Sequence, residues 1–239
     1  VKRILVAVIA YNEEESIEKT LADLRTNAPN YDVVVIDNGS SDGTKNLCEK
    51  LGVPVISHCV NTGGSMGTVM TYFLYAYRNK YDVLCQFDGD GQHLAAELEK
   101  IVTPVVEGKA DYVIGSRFLA KEGFQSYFLR RIGIRTFAFL DSLAVGQSLT
   151  DVTSGFRAYG PRVTEFFAKN YRHELFDTNQ LLLLAHFSGA RLLEVPVVMK
   201  DREHGVSEFS SMAAVYFPLK GIVNIVGCIL QRKKIGKWA

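Results

Sequence analysis

Strand-like and helix-like stretches alternate from the first residues of this chain, and each apolar run ends on a polar or glycine-bearing turn. Ile4–Ile9 is a short apolar run, and Glu13–Arg25 then carries Ile17, Leu21 and Leu24 at helical spacing. Tyr31–Ile36 is Val-rich and stops at Asp37-Asn38-Gly39-Ser40, a turn cluster after which Ser41 or Asp42 can cap the next helix. Val53–Ser57 is a third run, and the Gly-rich loop Asn61–Gly67 opens a helix that extends to Arg78. Tyr81–Phe87 ends at Asp88, Leu94–Val106 reads as a helix and Ala110–Ile114 as a fifth strand. Apolar strands separated by helices predict an α/β fold, a mostly parallel central sheet with helices on both faces.

The second part is less regular. Phe124–Val145 is a long mixed segment, and Asp151–Tyr159 is a polar loop leading into a strand. Glu174–Phe187 reads as a helix and Arg191–Met199 as an extended stretch broken by Pro196. No internal repeat, low-complexity segment or Pro/Ser-rich linker divides the 239 residues, so one domain is expected over 1–210, with 211–239 as an appendage. A hydrophobic fraction of 47% supports a sizeable core. With 27 basic and 26 acidic residues the formal charge is +1, which argues against nucleic-acid binding by bulk charge. Cys48, Cys59, Cys85 and Cys228 are scattered without a Cys-x-x-Cys pair, as expected of reduced thiols in a cytoplasmic setting. Ile4–Ala10 runs straight into Tyr11-Asn12-Glu13-Glu14-Glu15, too short and too soon acidic for a signal peptide.

Ligands of parallel α/β sheets bind at the carboxyl ends of the strands. That rule singles out Tyr11-Asn12-Glu13, Asp37-Asn38, Asn61–Gly67 and Asp88-Gly89-Asp90-Gly91-Gln92-His93. In the last cluster two carboxylates stand two residues apart between glycines. Both can approach one hard cation such as Mg²⁺ or Mn²⁺, which shares its coordination with substrate phosphates. A plain β-turn is the alternative, since Asp-Gly favours one anyway. An EF-hand loop from Asp88 is disfavoured, because its sixth position is His93 rather than Gly.

Taken in order, these clusters are followed by Gly115-Ser116-Arg117-Phe118, Thr153-Ser154-Gly155-Phe156-Arg157 and Glu194-Val195-Pro196-Val197. The ordered set resembles the family 2 glycosyltransferases of the GT-A fold, in particular the branch of dolichyl-phosphate and polyprenyl-phosphate sugar synthases. The resemblance runs from Lys2 to Ser207. It implies that Ala10, Tyr11, Asn12 and Glu13 hold the nucleotide, that Asp37 and Asn38 stand at a pair of acids of which one contacts the base, and that Asn61, Gly64, Gly67 and Gly89 line the donor site. Asn38 in place of an acid leaves both UDP and GDP donors open. The resemblance further implies a metal site of Asp88, Asp90 and Gln92. By the same resemblance Arg117 lies in the loop after the fifth strand, Asp151 matches an acid that faces the acceptor side, and Arg202 matches a cation that clamps the phosphates. Glu208 stands where the family often has Lys.

The chemistry implied is inverting transfer from a nucleotide-diphosphate sugar. A lipid-phosphate acceptor is already anionic and needs no base, whereas a hydroxyl acceptor makes Asp151 the natural base and Asp177 a weaker one. A turn cap is the plain alternative for Asp151, and a surface ion pair for Arg117 and Arg202. His93 stands next to the metal motif as a ligand or a partner of one, and His204 lies near Arg202. His58, His173 and His186 read as packing or surface residues.

Ala213–Leu230 is mostly apolar and, as a helix, would span about 27 Å against a hydrocarbon core of ~30 Å. Lys220, Asn224, Gly227 and Gln231 nevertheless draw a polar stripe opposite Val215, Leu219, Ile222, Val226, Ile229 and Leu230, and Pro218 interrupts the first turn. That pattern suits a helix lying at an interface or against a small membrane partner protein. Arg232-Lys233-Lys234 and Lys237-Trp238 add cations and an interfacial aromatic. Arg130, Arg131 and Arg135 among Tyr127, Phe128, Ile132, Phe137 and Phe139 form a second candidate surface, with core packing as the alternative for both. Residues 232–239 hold four basic side chains and no acid, so the remaining body is net −3 and the near-neutral total conceals a basic tail. The expected protein is a metal-dependent glycosyltransferase acting on a polyprenyl phosphate, peripheral at the inner face of the cell membrane. Transfer to a glycan hydroxyl and a non-catalytic nucleotide-sugar-binding subunit are the alternatives.

Overall fold

In the computed structural model, residues 1–62, 66–119, 128–170, 178–201 and 222–230 are described. The first half alternates as expected: β1 (Ile4–Ala10), α1 (Ile17–Asn27), β2 (Asp32–Asp37), α2 (Thr44–Lys50), β3 (Val55–Ser57), α3 (Met66–Arg78), β4 (Val83–Asp88), α4 (Leu98–Val106) and β5 (Tyr112–Ser116). The second half holds α5 (Phe128–Val145), β6 (Arg157–Tyr159), α6 (Pro161–Asn170), α7 (Thr178–Ser188) and β7 (Leu192–Pro196). The seven strands form one sheet in the order β3-β2-β1-β4-β6-β5-β7. β1 pairs in parallel with β2 and β4, β2 with β3, and β5 with β7, while β6 runs antiparallel to both β4 and β5.

Side chains alternate across a strand, so each buried strand feeds two cores. Leu5 and Ala7 of β1 face the layer that includes Val69, Tyr72, Phe73 and Ala76 of α3, together with α5, α6 and α7. Val6, Val8 and Ala10 face Ile17, Leu21 and Leu24 of α1 and Leu98, Ile101 and Val102 of α4. Both layers are apolar, which is why these strands read as unbroken hydrophobic runs rather than as alternating ones.

One displaced boundary and one unexpected helix each have a physical reason. The first helix begins at Ile17 rather than Glu13, because residues 11–16 are spent on a loop. Asn12 adopts a left-handed backbone (φ 53°), its N–H donates to Ser40 Oγ at 2.9 Å, and its Oδ1 accepts the Ser41 N–H at 2.9 Å. Helix α6 goes unnoticed in the sequence. Its buried face is only Val163, Thr164 and Phe167, and it packs on α3.

The C-terminal segment 222–230 is helical and places Ile225 and Cys228 in the same core layer as Ala138 and Val145 of α5. The described part of the expected appendage is therefore packed against the main body. Beside it lies Asp141, fully buried, with neither carboxylate oxygen hydrogen-bonded among the described residues. Burial drives its carboxyl up from 3.8 to about 7, with Arg157 opposing, and burial together with Asp141 raises the Cys228 thiol to about 11.

A carboxyl that is harder to ionise in the folded state than in the unfolded one makes stability fall as pH rises between those two values. The Asp141 contribution to stability should therefore decline from about pH 4 to pH 7, by an amount on the order of a few kcal/mol. Asp141→Asn is expected to flatten that decline and to raise the melting midpoint at pH 8 by about 4 °C or more. Matching pH–stability curves for the two proteins in thermal denaturation would exclude this role.

Candidate active site

The parallel register decides what stands together. Ala10 lies opposite Asp37, and Ile9 opposite Asp88. The ladders run one residue beyond the strands, with the Asn38 N–H on the Ala10 carbonyl at 2.9 Å and the Gly89 N–H on the Ile9 carbonyl at 2.8 Å. A Cβ on Gly89 would sit 2.9 Å from that Ile9 oxygen, so the turn after β4 can approach β1 only as bare backbone.

At the end of β4, Asp90 Oδ1 accepts the Gln92 N–H at 3.0 Å and Asp90 is buried. The Asp88 side chain is 35% exposed and is fixed from behind by two neighbours. Gly155 presses against it so closely that a Cβ there would come 2.9 Å from Asp88 Oδ2. His93 Nδ1 accepts the Asp88 N–H at 2.9 Å, so the ring proton sits on Nε2, 3.5 Å from Asp88 Oδ2. Burial pushes the His93 pKa down to about 4, and the ring packs between Phe87 and Phe156. His93 is thus a neutral brace for Asp88. The two carboxylates, with Gln92 adjoining, form a hard oxygen set at one turn, which fits a divalent cation. Met199 bridges to His93, and the Lys200 N–H donates to the Gln92 carbonyl at 2.9 Å. The chain thus passes this turn just before Asp201; Arg202 lies outside the described residues.

On the β1–β2 side, Tyr11 is exposed at the tip of β1. Glu13 is buried, its N–H donates to Thr44 Oγ1 at 2.8 Å, and its Oε2 accepts the Ser16 hydroxyl at 2.7 Å. Asp37 is buried with Oδ1 on the Ser40 N–H at 3.0 Å. The Asn38 carboxamide ties loops together. Its Oδ1 accepts the Thr62 N–H and hydroxyl at 3.2 and 2.7 Å and faces His58 Nδ1 at 3.2 Å, while its Nδ2 donates to Asn61 Oδ1 at 3.2 Å. An Asp in that place lacks the donor for Asn61. Asn61 is exposed, Gly64 lies outside the described residues, and Gly67 in α3 leaves no room for a Cβ beside Thr62.

After β5, Arg117 meets Asp151 in a buried bidentate ion pair. Nε donates to Oδ2 at 2.6 Å and Nη2 to Oδ1 at 2.8 Å, and the Arg117 backbone N–H adds a third bond to Oδ2 at 3.2 Å. Thr153 Oγ1 also donates to Asp151 Oδ1 at 3.2 Å. The Asp151 side chain is 0% exposed. Burial works against the Arg117 charge, but the bonds to Asp151 and the nearby Asp88 carboxylate hold its pKa above the ordinary value. The expectation of Asp151 as a base does not match this geometry, because both oxygens already hold a guanidinium. Asp177 lies outside the described residues.

Three supports received no role from the sequence, although Arg157 and Glu194 stand within the motifs quoted above. Arg157 is fully buried, with Nε on the Ser154 carbonyl and Nη2 on the Val152 carbonyl, each at 2.6 Å, and Nη1 on the Tyr112 hydroxyl. Gln86 Oε1 gathers the hydroxyls of Tyr72 and Tyr159 at 3.0 and 3.2 Å. Glu194 of β7 accepts the N–H groups of Thr150 and Asp151. The available signal was a charged or amide side chain inside an otherwise apolar strand run. Asp151→Asn would take from the buried Arg117 cation the negative charge of its bidentate partner. It should destabilise the fold by about 3–5 kcal/mol and lower the melting midpoint by roughly 10 °C; an unchanged midpoint would show that the pair bears no such weight.

The sequence model of glycosyl transferase family 2 matches residues 5–166. The undecaprenyl-phosphate mannosyltransferase of Micrococcus luteus is 32% identical over 217 residues, 87% of this chain and 88% of its own. The polyprenol monophosphomannose synthase of Mycolicibacterium smegmatis is 29% identical over 221 residues, 87% of this chain and 82% of its own. Among solved structures, glucosyl-3-phosphoglycerate synthase of Mycobacterium tuberculosis with Mn²⁺, UDP and phosphoglyceric acid superposes with a TM-score of 0.68 at 15% identity, over 95% of this chain and 78% of its own. The resemblance read from the motifs is borne out at the level of family and branch, and the fold is of the GT-A type. This chain belongs to glycosyl transferase family 2 and is a glycosyltransferase.

Proposed function

We propose that this glycosyltransferase moves a sugar, with inversion, from a UDP- or GDP-linked donor to a polyprenyl phosphate, acting peripherally at the cytoplasmic face of the membrane with Mg²⁺ or Mn²⁺ bound. The observation that carries the acceptor assignment is the saturated Asp151 carboxylate. The position expected to furnish a base is committed to Arg117, so a fixed cation stands where a hydroxyl acceptor would need a proton acceptor. An acceptor phosphate is anionic before it arrives and needs no base. The two relatives named for polyprenyl-phosphate substrates support the same choice.

Asp88 and Asp90, with Gln92, would hold the divalent cation, which when bound supplies positive charge against the donor diphosphate. The Mn²⁺ and UDP bound to the synthase of like fold support that assignment. Every other task falls to the chain itself. His93 and Gly155 hold Asp88 in one pose. Arg117 adds a fixed charge beside it, so that little reorganisation is needed as negative charge builds on the leaving diphosphate. Tyr11 offers an exposed ring to the base, with Ala10, Asn12, Glu13, Asp37, Asn38, Asn61, Gly64, Gly67 and Gly89 as the surrounding donor site. Arg202 is a second cation for the phosphates.

No helix among the described residues is long and apolar enough to cross a membrane. Phe139 and Leu143, one turn apart on α5, are nevertheless 62% and 67% exposed, and Val223 and Leu230 of the segment 222–230 are 69% and 77% exposed. The opposite side of that segment is anchored by Ile225 and Cys228. An exposed apolar stripe held on a fixed support, followed by a basic tail, suits the interfacial layer of an anionic bilayer.

The full chain should form labelled lipid product when given Mg²⁺ or Mn²⁺, UDP- and GDP-sugars and polyprenyl phosphate in detergent. Transfer only to a glycan hydroxyl would refute the acceptor assignment. Asp90→Ala should lower transfer at least about 100-fold, and Gly155→Ala, which drives a methyl into Asp88, at least about tenfold. Full activity in either variant would remove the corresponding role. Leu143→Glu combined with Val226→Glu should reduce flotation with anionic liposomes several-fold; equal flotation would contradict the peripheral attachment.

A further inference from the structure

Asp151 orients Arg117, but Asp151 is itself a loop residue, and a loop anchored only by its own backbone cannot hold a guanidinium to a fraction of an ångström. Its anchor comes from the far edge of the sheet. Glu194, paired in register with Ile114, reaches across the end of β5. Its Oε1 accepts the Asp151 N–H at 2.7 Å, and its Oε2 accepts the Thr150 N–H and hydroxyl at 2.8 and 3.0 Å. The Thr150 hydroxyl is also 2.6 Å from Ser116 Oγ, which in turn accepts the Phe118 N–H at 3.2 Å. Both residues flanking Arg117 are thereby drawn into the same hydrogen-bonded set. On the other side, Arg157 binds the carbonyls of Val152 and Ser154. One carboxylate thus holds the amides at the start of the loop 150–154, and one guanidinium holds its carbonyls.

We propose that Glu194 is a positioning residue for sugar transfer, fixing the Arg117 guanidinium beside Asp88 through the Thr150 and Asp151 backbone. The proposal rests on the charge-stabilising role assigned to Arg117 above and deepens it. A guanidinium anchored through three linked layers keeps its orientation while charge moves, whereas one on a loose loop must reorganise at each turnover. Glu194 lies on the β7 edge, among the described residues accepts its hydrogen bonds from the loop, and is not one of the residues assigned to donor or cation.

Glu194→Gln tests this at nearly constant shape, because the carboxamide has one acceptor oxygen and sets an NH₂ group against an N–H donor. The variant should lower kcat about tenfold or more and leave the donor KM within about twofold, since the loss falls on the transition state. In an Arg117→Lys background the same change should cost less than about twofold, because the bidentate pose it supports is already gone. A full, multiplicative loss in both backgrounds, or an unchanged kcat in the single variant, would overturn the proposal. The independent readout is the Arg117 Nε–H signal in ¹H–¹⁵N spectra of the ligand-free protein. Its exchange with solvent should accelerate at least about tenfold in Glu194→Gln; unchanged exchange would assign Glu194 a sheet-edge role only. Should Glu194→Gln fail to fold, Thr150→Val removes the hydroxyl bonds to Glu194 and Ser116 while sparing both backbone bonds. It should then show the same two changes at smaller size, and their absence would again overturn the proposal. A wild-type protein that transfers to no polyprenyl phosphate would refute the acceptor assignment, and the ligand-free exchange measurement would still decide the role of Glu194.

Discussion

β1 lies between β2 and β4 in parallel register, and the rest of the site hangs on that arrangement. Parallel neighbours present their carboxyl ends on the same edge, so Ala10, Asp37 and Asp88 reach one level although they are 27 and 51 residues apart in pairs along the chain. Two bonds extend the ladders past the strands, from Asn38 to Ala10 and from Gly89 to Ile9, and they close the turns onto the site. The glycine is required by contact: the Ile9 carbonyl occupies the space that a side chain would need.

A second device completes the other half. β6 enters between β4 and β5 against the direction of both, so the loop before it arrives at the same edge from the opposite side. That reversal sets Gly155 against Asp88 and places Asp151 over the end of β5, where it pairs with Arg117. Burying such charges is expensive unless every polar atom finds a partner. Arg117 has Asp151, and Arg157 has two carbonyls and a tyrosine hydroxyl. Asp141 has no hydrogen bond among the described residues, and burial raises its pKa to about 7. Arg117 and Arg157 are each held by several hydrogen bonds, and Asp141, outside that arrangement, adds a pH dependence of its own.

The alternation of β1 to β5 with their helices was legible because double-sided burial imposes unbroken apolar runs, and Gly and Asp-Gly turns punctuate them. Helix α6 was not, since three buried residues make too weak a periodic signal, and the start of α1 was displaced because Asn12 and Glu13 are tied to the loop after β2. At the site, the residue types were readable and their tasks only partly so. Asp88 and Asp90 stand at the turn that follows β4, where His93 braces Asp88 through its backbone N–H, and Asn38 ties loops through both ends of its carboxamide.

What the amino-acid sequence determined alone is local and periodic: which segments are strands, where the turns fall, and which short motifs place carboxylates two residues apart. The family followed from the order of those motifs. What the tertiary structure decided is every relation across the chain. Asp151 could be read as a base or as an anchor until its distance to Arg117 was known, and Glu194, 43 residues further along, shows no role until β7 sets it beside the Asp151 amide. The physical reason is that a carboxylate's function depends on what its two oxygens face, and that is fixed by strand pairing between segments that carry no mark of each other in the sequence.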